Sequence, residues 1–159
     1  MKYKLGIDVG ISGALALLDE ENRCLASVDM PVMLMTNKRQ QVNAAELGKM
    51  IDLYRRKHGD FLTAYVEAVH SMPGQGVSGM FNFGVSYGIV QGILGALQIP
   101  MVLVSPVSWK RRAGLLGTEK DKARSFAIQL YPDVDLSKKK HGGRADAILI
   151  ARFSGLEKD

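Results

Sequence analysis

The chain of 159 residues has one cysteine, Cys24. A disulfide framework within it is therefore excluded, and a reducing compartment, the cytoplasm, is the natural setting. No Cys and His pairing with zinc spacing occurs, so a thiolate zinc site is excluded as well. The start, "MKYKLGIDVG", is basic but lacks the apolar stretch and cleavage site of a signal peptide. The one long apolar run, "VSYGIVQGILGALQIPMVLV", contains the G-x-x-x-G spacing of membrane helix dimers. Gln91, Gln98 and Pro100 divide it, and a helix followed by a buried strand explains it without a membrane. There are no internal repeats and no low-complexity stretch beyond "KKK", so residues 1–159 are expected to form a single domain.

What the chain does have is positive charge in one place. Its formal net charge is +5, and between Ser108 and Arg144 ten Lys or Arg face four Asp or Glu. The remaining residues carry 11 basic and 12 acidic groups, so the whole excess lies in that segment. Such a segment suits phosphate backbones; a solvated basic face with no ligand is the alternative. Cys24 itself reads as a small hydrophobe within a strand.

"YKLGIDVG", "GALALLDE" and "CLASVDMP" are short β-compatible runs joined by turn sequences, an antiparallel meander. "NAAELGKMIDLYRRKHG" reads as a helix capped by Asn43, with Glu46 three residues on and Gly59 as its stop. "FLTAYVEAV" and "IPMVLVSP" have the continuous apolar character of strands buried on both faces. Between them a Gly-rich loop leads into a helix from about Met80, on which Gly84, Gly88 and Gly92 leave one face nearly bare. That face is expected to pack on the sheet; contact with a second copy or with DNA is the alternative. "TEKDKARSFAIQLYP" starts a helix at a Thr118 cap, and "GRADAILIARFSGL" gives the last one. The order β-β-β-α-β-α-β-α-α predicts an α/β domain of the ribonuclease H-like fold, a mixed five-stranded sheet flanked by helices, with the first strand beside the fourth.

Three acids interrupt this pattern. Asp8 ends the first strand, Glu67 interrupts a buried strand in "TAYVEAVH", and Asp146 interrupts the start of the last helix in "GGRADAILIA". Alone, Asp8 reads as a turn former, or, in "GIDVGISG", as part of an ATP-phosphate cradle of the actin and sugar-kinase type. The cradle needs two lobes and further nucleotide motifs, for which 159 residues leave no room. A carboxylate in a buried strand needs compensation by a cation or hydrogen bonds. In the expected fold all three acids come to one end of the sheet, where they suit hard cations such as Mg²⁺ or Mn²⁺. Two such ions roughly 3.5 to 4 Å apart are the usual agents of phosphodiester hydrolysis.

"GIDVGISGALALLD", "YVEAVHSMPGQGVSGMFNFGVSYGIVQGIL", "VSPVSWKRRAGLLGTEKDKARSFAIQLYP" and "HGGRADAILIARF" together resemble the RuvC family of Holliday-junction resolvases, particularly the phage-associated versions. The similarity spans nearly the whole chain. It implies a homodimeric endonuclease that nicks two opposing strands of a four-way DNA junction, with two Mg²⁺ ions, or Mn²⁺ in their place. Asp8 would then be shared by both metals, with Glu67 and Asp146 as further ligands. Family members commonly place an Asp or His three residues before the last Asp, and here that position is Gly143. His141 could substitute as ligand, general base or phosphate contact only if the last helix begins near Gly143, since on a continuous helix it would point about 140° away from Asp146. Lys110 would be a phosphate clamp, beside Trp109 as a core or rim anchor. Lys110, Arg111, Arg112, Lys120, Lys122, Lys138, Lys139, Lys140 and Arg144 are the expected DNA contacts. The aromatic wedge that the resemblance suggests has no evident counterpart: His70 and Met72 occupy that loop, with Phe81 and Phe83 further on.

Overall fold

The computed structural model describes residues 2–68, 74 and 76–155. His70 and Met72 lie outside the described residues. The three N-terminal runs form the meander, as β1 (Tyr3–Asp8), β2 (Ala14–Leu18) and β3 (Cys24–Asp29). A small separate hairpin follows, β4 (Val32–Leu34) and β5 (Gln40–Val42), and then helix α1 (Ala44–His58), whose N-cap Asn43 accepts from the Glu46 amide. Strand β6 (Leu62–Glu67), helix α2 (Val77–Ala96) and strand β7 (Met101–Val104) come next. The chain ends in α3 (Pro106–Ala113), α4 (Lys122–Leu130) and α5 (Gly142–Ser154).

The main sheet has five strands in the order β3-β2-β1-β6-β7. The meander is antiparallel, whereas β1–β6 and β6–β7 are parallel, so the first strand does lie beside the strand that ends in Glu67. This is the mixed, helix-flanked sheet of the ribonuclease H-like arrangement. Alternation along the strands splits the core in two. Leu5, Ile7, Leu15, Leu17, Ala64 and Val66 pack with α1 and α2. Ala14, Ala16, Leu18 and Val104 pack on the other side with Trp109 and the Ala147–Ala151 stretch of α5.

Four expectations need correction. Strand β7 is not buried on both faces: it is one edge of the sheet, with Val102 and Leu103 43% and 48% exposed. The bare face of α2 turns away from the sheet, because the buried stripe is Ser86, Val90 and Leu94, roughly 200° around the helix from Gly84, Gly88 and Gly92. Thr118 is not the cap of α4; its hydroxyl donates to the Leu115 carbonyl, and Asp121 holds the N-cap position. The sequence reading also omits α3, which starts at Ser105 with its hydroxyl accepting from the Ser108 amide, has Pro106 in the first turn, and stops at Gly114 in the left-handed conformation.

Candidate active site

The sheet register brings the first two acids together. Ile7 of β1 pairs with Val66 of β6 in parallel, so Asp8 and Glu67 follow side by side at the same end of the sheet. Leu5 and Ile7 point into the α1–α2 core, which sends Asp8 to the α5 side. Gly6 then lets α5 reach the sheet. A methyl group there would overlap the Ala147 carbonyl oxygen and crowd Ala151, so the helix backbone lies directly on β1. That contact sets Asp146, one residue before Ala147, beside Asp8.

The cluster is only partly compensated. Burial pushes the Asp8 carboxyl well above the usual carboxylate range, and the charges of Asp146 and Glu67 push it further; Lys110 and Lys120 pull the other way. Burial, with the charge of Glu67 next, brings Asp146 up to about 6 against the same two lysines. Among the described residues no Lys or Arg forms a direct ion pair with any of the three acids. The Glu67 carboxylate is turned toward α3, where its Oε2 accepts from the Trp109 indole Nε1–H at 2.7 Å.

Asp146 and Glu67 add their charge to the burial of Asp8, and Glu67 adds its charge to the burial of Asp146, so a hard cation among these oxygen donors would relieve the repulsion. Among the described residues no group of three or more His, Cys, Asp or Glu side chains is drawn together closely enough to hold a metal ion as it stands. Gly143 shows why a fourth acid is missing from α5. A methyl group at that position would overlap the Ser12 carbonyl oxygen and press on Gly13, so the β1–β2 turn occupies the space a side chain would need.

A cleft of about 720 Å³ opens in front of Asp8 and Asp146. Gly10 to Gly13, Phe83 and Gly143 line it on one side, and Lys120, Lys139 and Lys140 bring positive charge to its rim. Glu67 and Lys110 are not among the residues that line it and act on the two acids through charge. Arg111, Lys122 and Lys138 are exposed.

Other expected site residues are placed elsewhere. His141 sits in a short turn of 3₁₀-helix before α5 and is only 3% exposed. Its Nδ1 accepts from the Lys138 amide at 3.1 Å, and the ring neighbours Asp135, so it does not join the carboxylates even though α5 begins at Gly142 and leaves His141 outside the helix. Arg144 forms a two-point pair with Asp29 at 2.8 and 3.1 Å and also donates to the Asp135 carbonyl, tying α5 to the end of β3. Arg112 donates to the Phe153 and Ser154 carbonyls and closes the end of α5. Both arginines are committed to the fold. Phe81 is 71% exposed and does not line this cleft, whereas Phe83 lines it and is half-buried against the core.

Comparison of the whole fold with solved structures is decisive where sequence comparison is silent: no protein-family model matches the chain, and no curated protein matches its sequence. The structure of Thermus thermophilus RuvC in complex with a Holliday-junction substrate superposes with a TM-score of 0.64 over 95% of this chain and 90% of that one, at 16% identity. The fold is that of RuvC. A second Thermus thermophilus RuvC structure aligns with a TM-score of 0.53, covering 94% of this chain and 90% of that one, also at 16% identity. The RuvC-like fold thus extends over nearly the whole described chain, and its strand order is what sets Asp8 beside Glu67.

Proposed function

We propose that the protein is a metal-dependent nuclease that cuts branched DNA, foremost four-way junctions, by paired nicks. The observation that carries the proposal is the pair Asp8 and Asp146 at a cleft with a lysine rim, with Glu67 next to Asp8 at the same end of the sheet, on a RuvC-like fold. Asp8, Glu67 and Asp146 would hold Mg²⁺ or Mn²⁺, two ions in the complete site. When bound, such ions supply Lewis-acid activation of water and of the leaving oxygen. The chain's own residues do the rest. Lys120, Lys139 and Lys140 draw the phosphate backbone to the cleft mouth, and Lys110 adds positive charge beside the acids. The apolar cleft wall of Val9, Ile11 and Phe83 limits water around the reacting phosphate. Two nicks on opposing strands call for two such sites, hence a homodimer. The exposed glycine face of α2 is the surface we assign to that contact, since it lets a second backbone approach closely.

Two other readings stay in play on specific observations. The absence, among the described residues, of a group of three or more His, Cys, Asp or Glu placed to hold a metal ion favours a branched-DNA-binding module without cleavage. The lysine rim, which reads charge and not sequence, favours a less selective nuclease on forks, flaps or structured RNA. Incubating the protein with a four-way junction, a fork, a linear duplex and an RNA hairpin in Mg²⁺ or Mn²⁺ separates the three. We expect symmetric nicks in the junction alone. Equal cutting of fork and junction would shift the reading to the broad nuclease, and salt-dependent binding without any cut would shift it to the binding module.

A further inference from the structure

The indole of Trp109 makes a contact that packing does not require. The side chain is fully buried in the core under α3. A buried indole N–H needs an acceptor, and a backbone carbonyl or a hydroxyl would serve. Here the acceptor is Oε2 of Glu67, 2.7 Å away and 42 positions distant in sequence. Among the described residues this is the hydrogen bond that orients the Glu67 carboxylate.

Helix α3 is built to hold the indole still. Its first turn is fixed by the Ser105 cap and Pro106, and its last by Gly114 in the left-handed conformation. The next residue along, Lys110, keeps its Nζ 5.6 Å from the same indole ring. Lys110 is also a group that lowers the pKa of both Asp8 and Asp146. One eight-residue helix therefore sets both the orientation of one acid and the charge felt by the other two.

We infer that Trp109 is a positioning residue for the carboxylate cluster: its indole fixes which oxygen of Glu67 is left to a divalent cation, so that cation binding depends on this hydrogen bond. The inference rests on the reading of the cluster as a cation site. Partners one step removed from a metal typically control its affinity by about 10- to 100-fold. A tryptophan that only filled the core would affect stability and leave cation affinity untouched.

The full chain allows a direct test, because Trp109 is its single tryptophan and gives one indole N–H resonance. Trp109→Phe keeps an aromatic ring in the core and removes the donor. We expect its Mn²⁺ affinity, measured by calorimetry, to fall about 10-fold, and half-maximal cleavage to need correspondingly more Mg²⁺ while turnover at saturating Mg²⁺ is retained. Leu136→Ala, a truncation in the same buried cluster, serves as the control for lost stability and should leave Mn²⁺ affinity unchanged. In metal-free protein, Glu67→Gln should shift the indole resonance, since the acceptor loses its charge. Wild-type Mn²⁺ affinity in Trp109→Phe, or an unmoved resonance in Glu67→Gln, would overturn the inference. If the wild type takes up no Mn²⁺ while the resonance still shifts, the cation reading of the site falls and the indole–carboxylate contact stands.

Discussion

Asp19 and Asp8 stand at opposite ends of the antiparallel β1–β2 pair, both withdrawn from water, and the chain treats them in opposite ways. Asp19 follows the last residue of β2 and is only 3% exposed. Its Oδ1 accepts from the Glu21 and Arg23 amides at 3.0 and 2.8 Å, and its Oδ2 takes the Arg23 Nε at 2.7 Å. Burial alone would raise its pKa, but the hydrogen bonds and charge of Arg23 with the Glu21 amide hold it below the usual range. Asp8 receives other carboxylates as its near neighbours, and its pKa rises. The first arrangement closes a turn. The second leaves repulsion that a bound cation would relieve, which is what the proposed metal site requires of Asp8.

Breaking either acid should therefore have opposite consequences. The largest effect is expected from Asp8→Asn or Asp146→Asn. Cleavage of a four-way junction should drop by more than ~100-fold, the upper range for groups that merely support a metal ligand, while junction binding in a gel-shift assay is kept. In the same variants the metal-free fold should become more stable. The Asp146 carboxyl has a folded pKa of about 6, above the value of about 3.9 for an unfolded chain. Across that window the folded form keeps a proton that the unfolded form releases, so stability falls as pH rises from about 4 to about 6 and stays low above. Near neutral pH the penalty is on the order of 3 kcal/mol. Thermal melts without divalent cations, at acidic and neutral pH, should show the wild type gaining stability on acidification and Asp146→Asn losing the Asp146 share of that dependence, with the share of Asp8 remaining.

Asp19→Ala should do the reverse. It leaves the Arg23 and Glu21 donors without their acceptor and should cost about 2 kcal/mol in denaturant unfolding, with cleavage retained below the melting temperature. Because the folded pKa of Asp19 is depressed, its contribution is present at neutral pH and is lost as the pH falls below about 4. The smallest expected effect belongs to the cleft rim. Replacing Lys139 and Lys140 together by Ala should lower the slope of log affinity against log salt by about 2 for a duplex arm, with little change in stability because both side chains are exposed.

Much of the architecture was legible because it rests on periodicity. The meander, α1, the strand carrying Glu67 and α5 all follow from apolar spacing and caps. The β4–β5 hairpin was not, since each strand has three residues, pairs only with the other, and leaves Val32, Met33 and Leu34 exposed. The face of α2 was misplaced because the absence of side chains at Gly84, Gly88 and Gly92 does not say which side packs; Val90 and Leu94 decide it. Asp8, Glu67 and Asp146 stood out as charges within apolar runs; the strand register sets the first two side by side, and the contact of α5 with Gly6 brings in the third. The contact between Trp109 and Glu67 had no such signal, since it joins residues through tertiary packing. The Ser105–Pro106 start and Gly114 stop did offer a way to find the helix that makes it. The commitments of Arg112, Arg144 and His141 to internal partners were invisible in a charge count.

The central claim is that the acids at the β1–β6 end of the sheet, and not the buried acid at the other end, take up divalent cations. Calorimetric titration of Mn²⁺ into the wild type, Asp8→Asn and Asp19→Asn tests it most directly. The account predicts saturable heat in the wild type and in Asp19→Asn, and its loss in Asp8→Asn; unchanged Mn²⁺ binding by Asp8→Asn would contradict it.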